Sequence, residues 1–190
     1  MAPVPHVAAR SLCGRSDLLT VWNYLKGVGQ YFLAEVLCLF LSVTFSALGG
    51  TVWRIVGCIC NIGVLLCLCI NYGYNRAEED RRHYMDFTIG RCLFYSSSVS
   101  VIYIVLGVLL LLSRLEVLPT GFYRWYKLLD APFLQLCNIC SSEITADTLS
   151  YGQTALLCLV NLAPFLATAI TYAIVRKGVD FTAMQYVHKK

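Results

Sequence analysis

Ile55-Val-Gly-Cys-Ile-Cys-Asn-Ile-Gly-Val-Leu-Leu-Cys-Leu-Cys-Ile-Asn-Tyr-Gly-Tyr74 carries no formal charge over about twenty residues, the length a helix needs to cross the ~30 Å hydrocarbon core of a bilayer. Asn75-Arg-Ala-Glu-Glu-Asp-Arg-Arg-His-Tyr-Met-Asp86 follows at once. It is the densest cluster of charge in the chain, and Arg91 closes the polar stretch. An uncharged span abutting a charged loop defines an integral membrane protein, and residues 75–91 are expected to stay in water as a cytoplasmic loop.

Three further apolar runs lie on either side of this pair. Residues 31–48 form a first span interrupted only by Glu35, residues 92–112 a third ended by Arg114, and residues 155–175 a fourth ended by Arg176 and Lys177. Gly49 and Gly50 read as a tight turn between the first two spans, and residues 55–74 are the second. The expected fold is therefore all-α, a polytopic membrane protein with four transmembrane helices in an antiparallel bundle. Composition agrees. The 190 residues are 58% hydrophobic and 14% charged, where a soluble domain carries roughly a quarter of charged residues.

The remaining segments are too polar to cross. Residues 1–17 read as a flexible tail, and residues 18–29 as an interfacial helix with Leu18, Leu19, Trp22 and Leu25 at helical spacing. Residues 113–154 form an extracytoplasmic amphipathic segment. Its aromatic residues Phe122, Tyr123, Trp125, Tyr126 and Phe133 are those of an interfacial belt, so two short surface helices are expected, the second starting near Pro132. Thr145 and Thr148 offer caps for the last helix. Pro164 inside the fourth span predicts a kink near residues 160–164. Residues 176–190 form a short cytoplasmic tail.

Lysine and arginine set the expected orientation. Eleven of the fifteen fall on one face of a four-span arrangement, and only Arg54, Arg114, Arg124 and Lys127 on the other. The positive-inside rule then puts both termini in the cytoplasm of a multi-pass plasma-membrane protein. The net charge of +4 is spread over several loops, so nucleic acid is not an expected partner. The expected surroundings are the lipid bilayer and a membrane-protein partner or a second copy of the chain.

Candidate functional residues are the polar groups inside the spans. Glu35 is the one acid there, placed by its position after Tyr31 near the cytoplasmic interface. A charge within a membrane is costly enough that such residues face a bundle interior, a pathway or a partner. Asn61 and Asn161 are expected in the outer half and Asn71 near the level of Glu35, either as interhelical hydrogen-bond donors or as a polar layer for a solute. Small residues at four-residue spacing, Ser42, Ser46 and Gly50, then Ser96 and Ser100, then Ala163, Ala167 and Thr171, mark helix-packing faces.

Of the ten cysteines, Cys38, Cys58, Cys60, Cys67, Cys69, Cys92 and Cys158 lie in or beside apolar runs and behave as small hydrophobes. Cys137 and Cys140 stand apart as Cys-Asn-Ile-Cys, the spacing of an exchangeable pair. In architecture, four spans with cysteines near the outer surface resemble the quinone-linked disulfide-generating membrane proteins. Those need two exposed pairs, and Cys58 and Cys60, the nearest substitute, have the wrong spacing. No catalytic motif, metal-ligand set or cofactor loop is present in the sequence, so no enzymatic activity, cofactor or metal is expected.

The order of Arg81-Arg-His-Tyr-Met-Asp-Phe-Thr-Ile-Gly90, a long third span, Tyr126-Lys-Leu-Leu-Asp-Ala-Pro132 and a proline-containing last span resembles small uncharacterised four-span integral membrane proteins of Gram-positive bacteria. The resemblance implies a plasma-membrane location and no activity. The expected function is that of an accessory or transport-associated subunit without catalysis of its own. A self-assembling small-solute or ion transporter is the alternative, and a thiol-disulfide oxidoreductase using Cys137 and Cys140 the second.

Overall fold

The computed structural model describes the backbone of residues 7–178 and the side chains of residues 21–178. Seven α-helices follow in order: α1 (Val7–Leu48), α2 (Thr51–Arg82), α3 (Ile89–Arg114), α4 (Phe122–Leu129), α5 (Leu134–Cys140), α6 (Tyr151–Val160) and α7 (Ala163–Arg176). Four candidate spans are long and apolar enough to cross a bilayer: Val21–Leu48, Thr51–Arg82, Ile89–Arg114 and Tyr151–Arg176. They pack as a bundle. α1 lies against α2 and α3, and α7 lies against the same two from the other side. One end of the bundle carries Lys26, Arg76, Arg81, Arg82, Arg91 and Arg176 and is called the basic end below.

Several helix boundaries differ from those expected. α1 is continuous, so residues 18–29 do not form a separate interfacial helix, and helix replaces the expected tail from Val7 onward. Residues 1–6 of that tail, and residues 179–190 of the C-terminal one, lie outside the described residues. α2 continues to Arg82, leaving residues 83–88 as the loop. Pairs at helical spacing, Glu78 with Arg82 at 3.3 Å and Arg76 with Glu79 at 2.5 Å, sustain that polar extension.

The fourth span is two helices. Asn161 and Leu162 interrupt it immediately before Pro164, whose missing N–H and ring exclude a regular turn there. It begins at Tyr151, four residues earlier than expected, because Ser150 is its N-cap. The Ser150 hydroxyl accepts from the Gln153 N–H while the Gln153 side chain accepts from the Ser150 N–H. Thr145 instead precedes, and Thr148 ends, a separate 3-10 turn at Ala146–Thr148.

α2 and α7 approach very closely at Gly73, where a Cβ would lie 2.9 Å from the carbonyl oxygen of Thr168. Without a hydrophobic force between helices in lipid, backbone proximity of this kind holds spans together. The small-residue faces contribute in another way. Ser42, Ser96 and Ser100 are buried, but Ser42 and Ser46 serve as hydrogen-bond partners for α5.

Candidate functional site

The largest departure from expectation creates the site. α4 and α5 do not lie on a membrane surface. They form a helical hairpin that enters the bundle from the end opposite the basic one and turns back inside it, with its tip at Asp130–Phe133 packed against α1 and α2. Tip residues neighbour Tyr103 and Asn161. Tyr103 stands eleven residues before the end of α3 and Asn161 ten residues after the start of α6. At 1.5 Å per residue the tip is ~15 Å in, about half the thickness of a ~30 Å hydrocarbon core.

A chain reversal at that depth is tolerated only where protein groups satisfy its backbone. α1 supplies them from one face. Tyr31 donates its hydroxyl to the carbonyl oxygen of Leu129 at 2.6 Å, and Glu35, one turn on, accepts the N–H of Ala131 at 2.9 Å. Pro132 needs no acceptor for a backbone N–H, and Phe133 N–H donates to Asp130 O at 3.0 Å, closing the turn. Farther along, Gln135 donates to Ser42 O and Ser46 Oγ, both at 3.1 Å. At the hairpin base, Lys127 donates to the carbonyl oxygens of Ser141 and Glu143 at 2.7 and 2.8 Å and lies over the Tyr123 ring.

Asp130 is the exception to this satisfaction. It is fully buried, and no donor reaches either carboxyl oxygen with ordinary hydrogen-bond geometry. Tyr126, Asn161 and Glu35 are its polar neighbours. Burial without a well-placed donor favours the neutral acid at Asp130 over the carboxylate. Asn161 is itself engaged, donating to Tyr103 O and to the Tyr126 hydroxyl, each at 3.1 Å. The second Glu35 oxygen and the Tyr103 hydroxyl are also buried without partners. Two carboxyl groups thus lie near the hairpin tip, Asp130 in it and Glu35 bonded to the next residue, with several unused hydrogen-bonding atoms around them. Such a pair can hold and pass a proton, because apolar surroundings keep a carboxyl neutral until a path to water opens.

The sequence candidates separate. Glu35 belongs to the site and sits midway along Val21–Leu48 rather than near its end. It also borders a groove of about 370 Å³ on the outer face of α1, lined by Val36, Leu39, Phe40 and Val43. Asn161 joins the hairpin. Asn61 does not; it donates to Ser42 Oγ at 2.7 Å, nearer the opposite end. Asn71 is exposed, accepts from Asn75, and is not brought to Glu35.

Cys137 and Cys140 are free thiols. Cys137 is fully buried in α5. An activated thiolate sits in an accessible, electropositive setting, and the enclosed Cys137 side chain does not. Asp130 was the residue missed. Its one sequence signal is an acid wedged in Leu-Leu-Asp-Ala-Pro, between two short apolar helices.

These features define a small polytopic integral membrane protein, an all-α bundle with a helical hairpin folded into it. No family model, no curated protein and no solved structure matches the chain, so the resemblance to four-span proteins of Gram-positive bacteria gains no family.

Proposed function

We propose that the protein is a small transporter in which the Asp130 and Glu35 carboxyl pair carries a proton, alone or coupled to a solute. The observation that carries this reading is Asp130: a fully buried carboxyl without a partner, at the tip of a hairpin that turns inside the bundle. Broken helices and irregular backbone at mid-membrane are the features from which transport sites are built. Glu35 positions the tip through the Ala131 N–H and takes the proton on its free oxygen. The basic end faces the cytoplasm, on the charge asymmetry of the loops.

Proton flux into liposomes tests the reading. Purified protein in vesicles under a pH gradient, with a potassium ionophore and a pH-sensitive dye inside, should acidify the lumen faster than empty vesicles. Asp130→Asn should lower that rate by at least about tenfold, the scale of losing a positioned acid or base. Glu35→Gln, whose amide oxygen still accepts the Ala131 N–H, should lower it while leaving the fold intact. Wild-type vesicles no leakier than empty ones would return the protein to the role of an accessory subunit. The groove beside Glu35 favours that second reading, since a helix of a partner would fill it. For orientation, a membrane-impermeant thiol reagent should reach a cysteine placed at Ser142 in intact cells and miss one placed at Tyr84; the reverse pattern inverts the topology.

A further inference from the structure

A second cavity lies at the basic end, far from the hairpin. It encloses about 720 Å³ between the ends of three helices, with Trp22 and Lys26 on α1, Glu79 and Asp80 on α2, and Arg91 and Phe94 on α3 among its lining residues. Its charged groups are unequally occupied. Glu79 is paired with Arg76 at 2.5 Å, and Asp80 accepts the Tyr95 and Tyr172 hydroxyls at 3.3 and 2.6 Å. Arg91 has a buried guanidinium nitrogen with no partner. Lys26 forms no ion pair among the described residues and rests 5.9 Å from the centre of the Trp22 ring. The acids in the cavity are engaged, and the cations are not.

We propose that this cavity binds the phosphate of an anionic phospholipid, on Arg91 and Lys26. An arginine with unused donors presents the planar fork that phosphate oxygens accept, and a lysine beside it adds a point charge. The choice of a lipid over a free phosphate rests on the walls. Trp22 is more than half exposed at the mouth and Phe94 lies within, so an apolar body attached to the phosphate has aromatic surface to follow. Trp at this position marks the headgroup level of a span, and basic pockets between helices at a membrane face take anionic headgroups. The volume far exceeds that of a bare phosphate.

Quenching of Trp22 reads occupancy directly. With Trp53 and Trp125 replaced by Phe, Trp22 is the remaining tryptophan of the chain, and the protein is placed in nanodiscs of phosphatidylcholine doped with brominated phosphatidylglycerol or brominated phosphatidylcholine. The account predicts that brominated phosphatidylglycerol quenches Trp22 at a markedly lower mole fraction than brominated phosphatidylcholine. Arg91→Gln and Lys26→Gln should each weaken that preference about fivefold, the scale of one basic residue near an anionic surface. Circular dichroism confirms that each variant is folded; should Arg91→Gln unfold, Lys26→Gln carries the test. Equal quenching by the two lipids in the wild type, or an undiminished preference in the folded variants, overturns the proposal. Relief of quenching by millimolar inorganic phosphate at constant ionic strength assigns the site to a free phosphate and overturns the lipid.

Discussion

Asp80 on α2 and Asp130 at the hairpin tip are both buried acids, and their surroundings are opposite. Each oxygen of Asp80 accepts a tyrosine hydroxyl, one from α3 and one from α7. No donor reaches either oxygen of Asp130 with ordinary geometry, and the Tyr126 hydroxyl and Asn161 amide beside it are bonded to each other. A buried carboxyl with its full set of partners ties elements together, whereas one without partners is stable in an apolar setting chiefly as the neutral acid. Asp80 is therefore the clasp of the basic end, joining α2, α3 and α7, and Asp130 is a group held ready to change its protonation. The unpartnered acid is the functional candidate; the partnered one is structural.

Removing the clasp should have the largest effect. Asp80→Ala leaves two buried tyrosine hydroxyls without acceptors, at a cost of about 1–3 kcal/mol for each group, and should lower the unfolding midpoint in mixed detergent micelles substantially. Asp130→Asn keeps the side chain's shape, removes no hydrogen bond of ordinary geometry, and should move the same midpoint little or raise it. A larger loss from Asp130→Asn than from Asp80→Ala would reverse the two assignments.

A smaller effect follows from pH. Burial disfavours the carboxylate, so the folded state holds the Asp130 proton to a pH value above the one at which the unfolded chain releases it. Between these values the folded state binds more protons, so this group's contribution to stability is complete below the lower value. It declines as pH rises and is gone above the higher one. The slope is at most about 1.4 kcal/mol per pH unit. Subtracting the pH profile of Asp130→Asn from that of the wild type isolates it. A difference that grows with rising pH would contradict the sign.

The two acids also show where the sequence was legible. The spans were, because uninterrupted hydropathy over about twenty residues has few other uses. The hairpin was not, since an amphipathic helix on a membrane surface and one folded into a polar bundle interior share the same periodicity. Trp125 is 59% exposed, as a belt residue would be, but its neighbours Tyr123 and Tyr126 are fully buried. The partners that decide the matter are distant in sequence. Glu35 meets Ala131 across 96 residues and Tyr172 meets Asp80 across 92, separations that leave no local pattern. Gly27 lies inside α1, where a Cβ would fall 2.0 Å from Ser98 Oγ, a close approach that no local pattern marks.

Infrared titration of the protein in lipid membranes tests the central claim most directly, because the C=O stretch of a protonated carboxyl is distinct from the bands of a carboxylate. The account predicts a protonated-carboxyl band that persists through neutral pH in the wild type and loses the Asp130 share in Asp130→Asn, leaving at most that of Glu35. A band lost by pH 5, or one that Asp130→Asn leaves unchanged, would contradict it.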